Sequence, residues 1–125
     1  MLISEAISHA TALTGQVVAT AELVRWLSEL DGRLAFETFR VPEWHPYDPT
    51  DDTGLELLVE YPHDGLYVHW LAAQTYFSNG EYDRYENERA MFERALADYK
   101  AWLMREKSTP CRPGYPTDKT GGSGG

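Results

Sequence analysis

Cysteine is nearly absent: Cys111 is the only one in 125 residues. One thiol builds no disulfide framework, and that usage suits a reducing compartment or a cytoplasmic assembly site. No run approaches the roughly 20 apolar residues of a membrane span. The start, Met1-Leu2-Ile3-Ser4-Glu5, lacks the basic region and long apolar stretch of a signal peptide. Positive charge is scarce, with 11 Lys and Arg against 20 Asp and Glu and a formal charge of −9. Gripping nucleic acid or anionic lipid draws on clustered cations, so both are disfavoured. There is no Gly-rich phosphate loop and no Ser/His/Asp or Cys/His set. No residue is therefore assigned a catalytic, cofactor-binding or metal-binding role, and the chain is expected not to be an enzyme.

What is present suits a small helical domain. Hydrophobic residues make up 42% and aromatics 13%, with Trp26, Trp44, Trp70 and Trp102 spread along the chain. Ser4 can cap a first helix that runs to about Thr14, where Gly15 supplies the stop. Thr20 can cap a second, in which Leu23, Leu27, Leu30 and Leu34 recur at helical steps up to about Phe39 or Arg40. Gly32 inside it calls for a close helix crossing or a kink. A third helix opens at Pro62 or Asp64, with Leu66, Trp70, Ala73 and Phe77 on one face. Asn79-Gly80 is a turn. A fourth helix follows from near Glu81 to Glu106, carrying Tyr82, Tyr85, Phe92, Leu96, Tyr99 and Leu103. The last two helices should form an antiparallel hairpin. The expected fold is mainly α: a bundle of about four helices with a long C-terminal hairpin and an irregular central loop. The domain is expected over 1–107, with a flexible tail over 108–125 in which 121–125 has linker composition.

The central segment, Val41 to Pro62, is rich in proline and acid. Leu55, Leu57 and Val59 alternate with Glu56, Leu58 and Glu60, which suits one short strand. No partner for it is evident in the chain, so it is either an ordered loop or a strand that pairs with a neighbouring subunit. Trp44 and Tyr47 lie outside any helical stripe. They are either exposed anchors for a protein partner or a lid folded back on the core. Trp44, Tyr47, Leu55, Leu57 and Val59 are the candidate interface. His45, Asp48, Asp51 and Asp52 fail as a calcium loop, because counting from Asp48 puts Thr53 where Gly belongs and Val59 where the bidentate Glu belongs. His63 and His69 are six apart, the wrong spacing for two ligands on one helix face. His63 reads as a residue at the helix entrance, and His69 as a partly buried aromatic beside Trp70. Arg89 falls on the apolar stripe of the fourth helix, where it can reach a carboxylate from another helix.

One ordered arrangement resembles a known family. It begins with Trp26-Leu27-Ser28-Glu29-Leu30-Asp31-Gly32-Arg33-Leu34, then Tyr47-Asp48 and Glu56-Leu57-Leu58-Val59. Tyr61-Pro62-His63-Asp64-Gly65-Leu66-Tyr67-Val68-His69-Trp70-Leu71 follows, then Asn79-Gly80-Glu81, Tyr85-Glu86-Asn87 and Ala90-Met91-Phe92. Over about residues 20 to 105 this resembles small proteins from the structural-gene clusters of tailed phages and prophages of gut Firmicutes. That family is associated with head–tail connectors, or adaptors. The resemblance implies a virion structural protein of the neck region, assembled in the bacterial host cytoplasm. It implies a homo-oligomeric ring, a dodecamer, between portal and tail proteins, with no cofactor and no membrane. DNA would pass without specific binding, repelled by a long acidic helix. The alternative is a non-catalytic helical protein-binding or regulatory module that docks a single protein partner. A third reading, a small hydrolase or metal enzyme using the histidines and central carboxylates, lacks support from spacing.

Overall fold

The computed structural model describes residues 1–108 and is mainly α-helical. In chain order the helices are α1 (Ile3–Thr14), α2 (Thr20–Glu37), α3 (Leu66–Ser78) and α4 (Tyr82–Ser108). Ser108 therefore closes α4, and the rest of the expected tail, Cys111 included, lies outside the described residues. The chain divides into two units, the first Met1–Ala95 and the second beginning at Leu96. In the second, Tyr99 and Trp102 stack with ring centroids 6.1 Å apart. No helix of the described residues is long and apolar enough to cross a membrane.

Two caps differ from expectation. Leu2, not Ser4, precedes α1, and its N–H donates to Glu5 Oε1 at 2.8 Å. The first N–H groups of a helix have no partner within it. Here the N–H groups of Ile3 and Ser4 donate to the carbonyls of Leu55 and Thr53, both at 2.9 Å. Ala19 rather than Thr20 caps α2, which stops at Glu37, earlier than expected. Its end is wrapped by the N–H groups of Thr38 and Phe39 on the Leu34 carbonyl, both at 2.9 Å. Gly15 does end α1, at φ 68°, a left-handed conformation that glycine adopts without steric cost.

Helix α2 is buried over much of its circumference. Leu23, Val24, Trp26, Leu27, Leu30, Leu34 and Ala35 are all buried, so burial extends well beyond one stripe. Helix α3 adds Leu66, Tyr67, Trp70, Leu71, Ala72, Ala73 and Tyr76. The Trp70 indole donates to the Trp26 carbonyl at 2.8 Å and ties α3 to α2. Helix α1 buries Ile3 together with Ala6 and Ala10, two small residues one turn apart that permit a close approach.

Helix α3 begins at Leu66, later than expected, because the chain turns through 61–65 first. As expected, it ends at Asn79 and Gly80, with Gly80 at φ 76°. The start of α4 then runs back along it. Phe77 packs on Tyr82 and Tyr85 at 5.6 and 5.0 Å, and Trp70 packs on Phe92 at 5.0 Å. Rising numbers on α4 meet falling numbers on α3, which makes an antiparallel hairpin.

The strand-like segment has its partner inside the chain, contrary to the subunit-pairing alternative. Leu2 and Glu56 form an antiparallel bridge, and the Leu57 N–H donates to the Met1 carbonyl at 3.0 Å. Only this bridge forms among the described residues, so the segment is an ordered loop. Its alternation turns Leu57 and Val59 inward, 4% and 0% exposed, and leaves Leu55 47% exposed. Leu57→Ala is therefore expected to lower stability by about 2–5 kcal/mol. Leu55→Ala should change it by less than about 0.5 kcal/mol. Urea denaturation of both variants checks the contrast.

Candidate functional site, a carboxylate clasp under the central loop

Asp31 interrupts the apolar face of α2 and is fully buried. Its Oδ1 accepts the Tyr67 hydroxyl at 2.6 Å. Its Oδ2 accepts the Tyr47 hydroxyl at 2.6 Å and the Leu58 N–H at 3.1 Å. The Tyr67 oxygen in turn accepts the Val59 N–H at 2.8 Å. Beside them, Ser28 Oγ accepts the Tyr47 N–H at 2.9 Å. One carboxylate on α2 thus fastens both arms of the central loop and the start of α3.

Among the described residues, no cation meets this carboxylate. Burial pushes the Asp31 carboxyl above the usual carboxylate range, against three donors that pull it down. Burial, reinforced by the negative charge of Asp31, pushes the Tyr47 and Tyr67 hydroxyls far above their ordinary value. Each of these hydroxyls donates its proton to Asp31 and stays protonated at any physiological pH. The group is a hydrogen-bonded clasp.

Trp44 lies over Gly32 on the same side of α2. A Cβ at Gly32 would stand 2.9 Å from Trp44 Cζ3. An aromatic ring of the loop, and neither a helix crossing nor a kink, explains this glycine. Trp44 also meets Tyr47 edge to face at 5.2 Å.

The five expected interface residues therefore have different placements. Trp44 and Tyr47 are half-buried and folded onto α2, which is the lid alternative. Leu57 and Val59 are core, so the folded chain presents neither at its surface. Leu55 alone of the five is exposed. The expected acidic turn forms around Asp48, whose Oδ1 accepts the N–H groups of Thr50 and Asp51. These bonds lower its carboxyl below the usual value. Among the described residues, no group of three or more His, Cys, Asp or Glu is placed to hold a metal ion.

His69 sits 2.7 Å through Nδ1 from Glu88 Oε1, which joins α3 to α4. Glu88 therefore belongs to the helix contact. Arg89 pairs with Glu93 on its own helix at 2.8 Å, not with a carboxylate from another helix. The one-turn spacing of Arg89 and Glu93 suits that contact. Asp31 and Ser28 were missed as site residues. The available signal was a lone acid inside the leucine stripe.

Two outcomes test the clasp. Asp31→Asn keeps the shape but leaves at least one donor without an acceptor, so it should destabilise by about 1–3 kcal/mol. The raised carboxyl means the folded state holds its proton more tightly than the unfolded chain does. Its stabilising contribution is thus fullest below the ordinary carboxylate range and is lost as pH rises through the folded value. The stability difference between native chain and Asp31→Asn should narrow with rising pH, as read from denaturation at a series of pH values.

Gly32→Ala should destabilise, although Ala is the better helix former by about 1 kcal/mol. In a Trp44→Ala background the same change should stabilise. A double-mutant cycle measures the reversal.

Compared with protein-family models, curated proteins and solved structures, the chain matches none.

Proposed function

We propose that this chain is a non-catalytic assembly subunit, a head–tail connector that works between portal and tail in a phage neck. The observation that carries the reading is where the resembling residues fall. Ser28, Asp31, Tyr47, Leu58, Val59 and Tyr67 together make the clasp. Trp26, Trp70, Asn79-Gly80, Tyr85 and Phe92 make the helix contacts around it. The pattern that resembles the connector family is thus one connected scaffold.

The surface suits a protein partner. At the hairpin tip Phe77 and Tyr82 are 54% and 57% exposed and in ring contact. Exposed aromatics of this kind anchor protein interfaces. The acid lies elsewhere than expected. Helix α4 is balanced, with six acidic and six basic residues. Residues 1–81 carry thirteen Asp and Glu against Arg25, Arg33 and Arg40. In this reading the surface that repels passing DNA belongs to the first unit and its central loop.

The purified chain is expected to bind a portal ring as a discrete ring of its own copies, seen by electron microscopy of the mixture. A chain that ignores portal rings at low and high salt overturns the assignment.

A further inference from the structure

We infer that copies of this chain associate head to tail, the arginine-flanked end of α2 on one copy seating on the carboxylate-rich central segment of the next. The inference rests on the assembly reading and names the surfaces that carry it.

Three arginines and no lysine occur within 1–81, and their situations differ. Arg25 is neutralised on its own helix by Glu22 and Glu29. Arg33 and Arg40 are exposed and form no ion pair among the described residues. Between them in the chain stands Phe36, 51% exposed, and after them Val41, 36% exposed. Arg33, Phe36 and Glu37 continue the exposed stripe of Arg25 and Glu29. The Val41 N–H donates to the Ala35 carbonyl at 2.8 Å, and Arg40 takes φ 57°. That turn folds Arg40 and Val41 back beside the last turn of α2. The result is an apolar spot with two unneutralised guanidiniums, tempered by the single carboxylate of Glu37.

The complementary surface lies on the same chain. Segment 41–64 holds seven carboxylates and no Lys or Arg. Glu56 and Asp64 meet the Met1 ammonium at 3.2 Å. Asp48 and Asp52 accept backbone N–H groups. The Asp51 carboxylate is exposed at the apex of the turn. Leu55 and Tyr61, 47% and 86% exposed, offer apolar contact beside the acid. Met1 answers two of these carboxylates, but Asp48, Asp51 and Asp52, like Arg33 and Arg40, meet no opposite charge among the described residues, and each set answers the other between copies. Two different patches in contact form a heterologous interface, the kind that closes a ring when the rotation permits. Duplex DNA also carries anions for Arg33 and Arg40, but the surrounding negative field opposes its approach.

The test is a charge swap read by sedimentation velocity, from micromolar to millimolar protein at low and high salt. One variant carries Arg33→Glu with Arg40→Glu. The other carries Thr50→Lys with Asp51→Lys. All four positions are exposed, and circular dichroism melts confirm that both variants fold. The native chain should associate, more weakly at high salt. Each variant alone should associate at least about tenfold more weakly, and the two mixed should recover, since each supplies the surface the other needs.

Variants that assemble like the native chain overturn the proposed surface and leave the connector reading standing. A native chain that never self-associates, alone or on a portal ring, overturns both. A native monomer that retards duplex DNA through Arg33 and Arg40 overturns the protein-partner assignment.

Discussion

A buried carboxylate without a cation is the constraint on which the first unit depends. Removing Asp31 from water is unfavourable unless donors replace the lost solvent. Here two tyrosine hydroxyls and one backbone N–H do so, and they come from three separate places in the chain. Tyr47 brings the first arm of the central loop, Leu58 the second, and Tyr67 the start of α3. Satisfying one group on α2 therefore fixes the path of some twenty residues that have no regular structure of their own.

The clasp also decides what the loop can present. The Leu57 N–H goes to the Met1 carbonyl, the Leu58 N–H to Asp31 and the Val59 N–H to the Tyr67 oxygen. A strand needs free donors along one edge to extend a neighbour's sheet, and these three are already in use. Burial of Leu57 and Val59 follows from the same geometry. The loop then meets its surroundings through carboxylates and a few apolar side chains, Leu55 and Tyr61 among them. In the connector reading, the buried part of the motif gives rigidity and the charge around it gives contact.

Particular residues show what could be read in advance. The four helices, the Gly15 stop and the Asn79-Gly80 turn followed from periodicity and turn chemistry, which are local. Gly32 was recognised as anomalous, but its cause was a tryptophan twelve residues away that no periodicity points to. Leu57 and Val59 alternated as a strand should, and the alternation did mark one buried face. It did not say that the partner was the chain's own N-terminus, because a single bridge leaves no pattern of its own. Glu88 looked like every other acid on α4. Only the position of His69 on the neighbouring helix drew it inward.

The sequence by itself determined the helices, the hairpin and the excess of negative charge, since propensity, spacing and composition act over a few residues. Tertiary structure alone decided that Asp31 is an anchor and that Trp44 and Tyr47 lie back on α2. It also decided that Arg33 and Arg40 meet no carboxylate among the described residues. Each of these depends on which distant groups reach a given atom, and hydrogen bonds and ion pairs are settled by distances that a linear order of residues does not contain.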